Sequence, residues 1–374
     1  MENFNYDAKN PSRIKVFGVG GGGSNAVARM FQEGLQDVEL YIVNTDLQHL
    51  NSLPVPNKIH IGESITRGLG AGSKPNIGEE AARENLDQIK EALEGSDMVF
   101  IAAGLGGGTG TGAAPVIAEA AKELGILTVA VVTKPFLFEA KIRSEIAEQG
   151  LENLKNKVDT YIVIHNQRLL SIAGRNLAFG EAFKLVDNIL YRAVRGITDL
   201  ILAPALINLD FADVKTVMEN SGKALIGVGS GKGENKIDEA VISATTSPLL
   251  EGTSIEGSKR LLVNIEVSPD LSFLEVDEAI SQIKEQAHEE AQLIFGASID
   301  HNAEDEMKVT VVATDFEGEE QEIKAKSSVL KSRMKTKIQK EKEDEIPKRP
   351  FITETSYDEL DIPAYIRKRK GDIN

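Results

Sequence analysis

The chain is 374 residues long and carries 58 acidic side chains against 42 basic ones, a formal net charge of -16. That surplus argues against a nucleic-acid partner, whose phosphates would repel it. No cysteine is present, which excludes disulfides, thiolate metal sites and cysteine nucleophiles.

The length provides for two domains with large cores. Residues 1–12 are polar, lack the apolar stretch of a signal peptide and are expected to be disordered. No run elsewhere approaches a membrane span, so a soluble, cytoplasmic chain without direct membrane insertion is expected. The five histidines, His49, His60, His165, His288 and His301, show no ligand-like spacing, and no zinc site is expected.

Taken in order, residues 14–19 form a short β-like run that leads into Gly18-Val-Gly20-Gly-Gly-Gly23-Ser-Asn25, with a helix predicted over 26–33. Gly18, Gly20 and Gly23 satisfy G-x-G-x-x-G, and the next strand, 40–43, ends at Asn44-Thr45-Asp46. An acidic residue at that strand end suits a ribose, although Asp46 stands further from Gly18 than the usual spacing of about 20 residues. A third glycine cluster, Gly68-Leu-Gly70-Ala71-Gly72, precedes a helical stretch predicted over 77–93.

Residues 98–103 are apolar, partly β-branched and bounded by glycine, the pattern of a buried strand. Six glycines follow within the nine residues 104–112. They remove Cβ atoms where the backbone turns and leave amide N–H groups uncovered for an anion. Thr109 or Thr111 is expected to cap the next helix, with Pro115 in its first turn and alanines carrying it to Leu124. Its positive end then faces the glycine loop.

A strand over 126–132 ends at Thr133-Lys134-Pro135, a polar helix carrying Arg143 spans 139–155, and residues 161–164 return to strand. This alternation implies α/β architecture with a Rossmann-like parallel sheet, helices on both faces and the glycine loops gathered at the carboxyl ends of strands. Phe179, Phe183, Val186, Leu190, Val194, Ile197 and Ile201 recur at steps of three or four, which predicts one long central helix. Phe183 and Asp187 share one side of it, a ring face beside an acceptor carboxylate.

After Pro204 comes Asn208-Leu-Asp210-Phe-Ala-Asp213, where Asp210 and Asp213 occupy N-cap and N3 positions of a helix through Met218. Strands near 224–228, 260–267, 291–298 and 307–314, with helices near 237–244 and 276–289, predict a second, smaller α/β unit. From 317 onward acidic and lysine-rich runs predict a disordered linker, and residues 357–370 regain apolar side chains beside charge, as a docking peptide does.

No G-x-x-x-x-G-K-[ST] occurs, so an ordinary P-loop is excluded. The glycine turns with Thr133 supply donors for several phosphates, which favours a nucleoside triphosphate whose Mg²⁺ rides on the phosphates without a protein metal cluster. A nicotinamide-dependent oxidoreductase built on Gly18–Gly23, and a nucleotide-binding scaffold with negligible turnover, are the alternatives.

Gly106-Gly-Gly-Thr-Gly-Thr-Gly112 resembles the tubulin signature, and residues 13–315 together with the terminal peptide resemble the bacterial cell-division (FtsZ) branch of that family. The resemblance implies GTP or GDP held by Gly20, Gly21, Gly22, Gly23, Ser24 and Asn25 in the first glycine turn. It adds Ala71 and Gly72 in the cluster before residue 77. From the central loop come Gly104, Gly106, Gly107, Gly108, Thr109 and Gly110, with Thr133 at the next strand end. Glu139 and Arg143 would contact ribose and phosphate, and Asn166, Phe183 and Asp187 the guanine.

It further implies that Asn208, Asp210 and Asp213 form an activating loop that completes the active site of the next copy in a head-to-tail homopolymer at the division ring, under the inner membrane at midcell. The implied segments are a GTP-binding domain (13–176), the central helix (177–202), an activating domain (203–316), a linker (317–352) and a partner-binding peptide (353–374). In that peptide Leu360, Asp361, Ile362, Pro363, Tyr365, Ile366 and Arg367 match the segment that binds tethers and regulators of the FtsA, ZipA or SepF kind. Two positions depart from the family pattern: glycine is common where Ala140 stands, and proline where His165 precedes Asn166.

Overall fold

The computed structural model describes residues 12–35, 37–173, 178–202, 206–207, 209–246, 255–301 and 303–316. Asn208, the linker and the terminal peptide lie outside the described residues.

Ten strands form one sheet in the order β3-β2-β1-β4-β5-β6-β7-β10-β8-β9. In the first half, β1 (Ile14–Val19), α1 (Gly20–Gln32), β2 (Val38–Asn44), α2 (Leu47–Ser52), β3 (Asn57–His60) and α3 (Glu63–Thr66) are followed by α4 (Pro75–Glu84) and α5 (Leu86–Leu93). Then come β4 (Met98–Gly104), α6 (Thr109–Glu123), β5 (Leu127–Lys134), α7 (Lys141–Lys155), β6 (Thr160–His165) and α8 (Asn166–Ala173). The strands from β3 through β7 pair in parallel.

Strand alternation divides this part into two cores. Met98, Phe100 and Ala102 face α1 and the long helix α9 (Phe179–Leu202), while Val99, Ile101 and Ala103 face α4, α5, α6 and α7. Both sides are apolar, as a parallel sheet covered on two faces requires.

The second half adds α10 (Phe211–Met218), β7 (Gly222–Lys232), α11 (Lys236–Thr245), β8 (Ser258–Val267), α12 (Phe273–Glu285), β9 (Gln292–Ile299) and β10 (Glu306–Phe316). β10 runs antiparallel to both β7 and β8, and β8 pairs with β9 in parallel. One face of these strands packs on α11 and α12, whereas Ala224, Ile226, Leu262 and Val312 join the core around α9 and α10. The central helix thus lies against strands from both halves, joined where β6 meets β7 over Thr160, Tyr161 and Ile162.

Several local expectations are corrected. The helix predicted over 26–33 begins at Gly20, because the glycines let it approach β4: a Cβ on Gly23 would stand 2.1 Å from the Ala102 carbonyl oxygen. The stretch 77–93 is two helices, parted where the Asn85 side chain turns to accept the Gly62 N–H at 2.8 Å. Neither Thr109 nor Thr111 caps α6, and Pro115 lies inside that helix, past its first turn. The Thr109 hydroxyl instead pairs with that of Thr45 at 2.7 Å, and Thr111 Oγ1 accepts the Gly106 N–H at 2.9 Å. The polar helix 139–155 is broken at Ala140 into a 3-10 turn, Leu137–Glu139, and α7. α2, β3, α3 and α8 lack a predicted counterpart.

Candidate active site

The order β3-β2-β1-β4-β5-β6 reverses direction between β1 and β4, and a parallel sheet opens a crevice at its carboxyl edge at such a point. A cleft of about 510 Å³ lies there.

Two helices aim their first turns into it. α1 starts at Gly20 and α6 at Thr109, and neither has a side-chain cap. The early amide groups of both therefore stay unsatisfied, and the helix dipoles add positive potential. Gly21, Gly22, Gly107, Gly108, Thr109 and Gly110 line the cleft at these two ends. A Cβ on Gly20, which has φ +71, would stand 2.6 Å from the Gly110 nitrogen, so glycine permits the two loops to meet. The arrangement fits a chain of phosphates held by backbone donors.

At the other end, Asn166, Phe183 and Asp187 line the cleft together. Asn166 is buried and its Oδ1 has no hydrogen-bond partner in the structure. A buried acceptor left open in this way fits an incoming N–H donor. Phe183 is 38 % exposed and stands edge-on to Phe136 and Phe179, with ring centroids 5.5 and 5.4 Å away. Burial pushes the Asp187 carboxyl up to about 6, opposed by the positive charge of Arg29. That pocket fits a flat base bearing N–H groups.

Between the two ends, Glu139 pairs with Arg143 and accepts the Phe136 N–H at 3.0 Å. Asn25, Ala71, Gly104 and Thr133 also line the cleft. Gly20, Gly23, Ser24, Gly72 and Gly106 do not. Ser24 is buried with its hydroxyl on the Gly18 carbonyl at 3.4 Å, and Gly106 holds the loop through Thr111. Lining residues not predicted for nucleotide contact include Asn44, Thr45, His49, Ser73, Pro135 and Val186. For Asn44 and Thr45 the signal was their position at the carboxyl end of the strand beside β1.

Asp210 and Asp213 lie elsewhere. They form the expected capping box of α10: the Asp213 N–H donates to Asp210 Oδ1 at 3.0 Å, and the Asp210 N–H to Asp213 Oδ2 at 3.4 Å. Neither lines the cleft of its own chain.

Residues 13–174 match the tubulin/FtsZ family GTPase domain, and residues 222–317 the C-terminal domain of the FtsZ family. The chain is 54% identical over 363 residues to the cell division protein FtsZ of Aquifex aeolicus (strain VF5), covering 96% of this chain and 97% of that protein. The chain belongs to the tubulin/FtsZ family.

Among solved structures of that family it resembles an empty FtsZ dimer from M. jannaschii, with 45% identity, a TM-score of 0.77, and coverage of 82% of this chain and 89% of that one. The fold is shared with CetZ2 from Haloferax volcanii, solved as a GTPgS-bound protofilament, at 23% identity and a TM-score of 0.69 over 86% of this chain and 99% of that one. As a tubulin/FtsZ GTPase, the chain binds guanine nucleotide rather than nicotinamide dinucleotide. The scaffold alternative has no support from the comparisons. Among the described residues no helix is long and apolar enough to cross a membrane.

Proposed function

We propose that this chain is a division-ring GTPase that polymerises head to tail and hydrolyses GTP where one copy meets the next. The observation that carries the reading is the separation of two half-sites: uncapped helix ends gather in the cleft, while Asp210, exposed, and Asp213, half-buried, form a capping box outside it.

The backbone of Gly21, Gly22, Gly107, Gly108 and Gly110 holds the phosphates, and Asn166, Phe183 and Asp187 hold the base. Gly20, Gly23, Ser24, Gly72 and Gly106 shape these loops from behind. Asn208, Asp210 and Asp213 of a neighbouring copy approach the terminal phosphate and orient a water molecule. The water oxygen bonds to the γ-phosphorus, the bond to the β–γ bridging oxygen breaks, and GDP leaves with that electron pair. Such a heterologous contact repeats without closing and makes a filament.

Of the cleft carboxylates, Asp46 accepts the His49 N–H, Glu139 is paired with Arg143, and Asp187 stands at the opposite end from the two glycine turns, beside Asn166 and Phe183. That fits Mg²⁺ carried on phosphate oxygens, where it supplies charge neutralisation. The peptide from Leu360 to Arg367 docks on tethers of the division ring and keeps the filament beneath the inner membrane at midcell.

GTP turnover per molecule, followed as phosphate release over a dilution series, tests the shared site. It is expected to rise with concentration, and Asp210→Ala is expected to keep GTP binding while turnover collapses. A rate per molecule independent of concentration, or full turnover in Asp210→Ala, refutes the reading.

A further inference from the structure

A chain of side-chain hydrogen bonds runs from the end of β2 into the cleft, and chemistry fixes its direction link by link. Asn44 is 3% exposed, and its Oδ1 accepts the backbone N–H groups of Thr45 at 2.9 Å and Asp46 at 3.3 Å. Backbone N–H groups only donate, so the other arm of this carboxamide is its NH₂ group. That group lies 3.1 Å from His49 Nδ1. An amide NH₂ only donates, so Nδ1 accepts and carries no proton.

The network therefore assigns a neutral imidazole with its proton on Nε2. Nε2–H donates to Asn25 Oδ1 at 3.0 Å. That bond fixes which end of the Asn25 carboxamide faces His49 and leaves its NH₂ group for the cleft that Asn25 lines. The imidazole itself is held at both ends of its backbone, because the His49 N–H is tied to Asp46 and the neighbouring Leu50 is 2% exposed.

We propose that His49 is a positioning residue for nucleotide recognition. It fixes the carboxamide of Asn25 so that this point of the cleft offers donors, and it selects a ligand atom that accepts: a ribose oxygen, a phosphate oxygen or an unprotonated ring nitrogen. The proposal rests on the cleft being the guanine-nucleotide site.

The test compares full-length parent, His49→Ala, His49→Gln, Asn25→Ala and the His49→Ala/Asn25→Ala double variant, each stripped of nucleotide. Affinity for fluorescently labelled GDP is measured by titration, and thermal unfolding checks the fold. Glutamine reproduces the polarity of the neutral imidazole, with Oε1 to accept from Asn44 and an NH₂ group to donate to Asn25. A neutral hydrogen bond contributes about 0.5–1.5 kcal/mol, so His49→Ala is expected to weaken GDP binding about 2- to 10-fold. Glutamine should restore it to within about twofold, and His49→Ala should add no loss once Asn25 is alanine.

The same loss in the Asn25→Ala background, or glutamine as poor as alanine, overturns the proposal while leaving the site intact. A folded parent chain that takes up no GDP overturns the site, and the proposal with it.

Discussion

Asp187 gives a prediction in which stability and binding move in opposite directions. The carboxyl lies on the cleft side of α9, and burial pushes it from the ordinary aspartate value up to about 6. The nearest compensating charge, Arg29, is already shared between Glu33 at 2.6 Å and Asn188 Oδ1 at 3.0 Å. A tenfold change in proton affinity is about 1.4 kcal/mol, so keeping Asp187 ionised at neutral pH costs the empty fold about 2–3 kcal/mol.

The sign follows from linkage. The folded value lies above the unfolded one, so the chain is most stable with this carboxyl protonated, below about pH 4. It loses that stability as pH rises to about 6, and the loss is constant above. Asp187→Asn removes it, and nucleotide-free Asp187→Asn is expected to melt roughly 5 °C above the parent at pH 7.5. At pH 5 about half of this advantage remains. The same variant loses an ionised acceptor for the base, so GDP affinity falls more than about tenfold. Scanning calorimetry at the two pH values, with and without GDP, reads both effects. A variant that melts at or below the parent at pH 7.5, or one whose advantage is undiminished at pH 5, refutes the reasoning.

Two backbone predictions accompany it. Gly23→Ala, whose Cβ would meet the Ala102 carbonyl oxygen at 2.1 Å, is expected to lose about 3 kcal/mol or more, whereas Gly21→Ala, with nothing within 4 Å, leaves the melting temperature near that of the parent. Ala140 has φ 84 and ψ 149, a region that suits glycine; Ala140→Gly is expected to stabilise by about 1 kcal/mol in denaturant titration, the relieved strain exceeding the entropy that glycine adds to the unfolded chain.

Much of the fold is legible because its signals are local. The β-branched run before Gly104, the apolar stripe from Phe179 to Ile201 and the carboxylates at Asp210 and Asp213 each report on their own neighbourhood, and each has its expected place. What was missed is decided by tertiary contact. Glycine is a poor helix former, so nothing local announces that α1 begins at Gly20; the approach of Gly23 to β4 decides it.

Asn85 is an ordinary helical residue until Gly62 supplies an N–H for its side chain. β3, Asn-Lys-Ile-His, is a polar edge strand with one fully apolar side chain, too short for alternation to show. In the cleft, the glycine loops stand out in the sequence, while Asn44 and His49 become visible only once β2 is known to lie beside β1.

The two uncapped helices carry one further consequence. In the proposed site a phosphate supplies what the sequence withholds at the start of α1 and of α6, which would make the nucleotide a structural component as well as a substrate. At a hundred times its dissociation constant a ligand of the native state adds about 2.7 kcal/mol to folding. Withdrawal of guanine nucleotide therefore takes away fuel and a part of the fold's stability in one step.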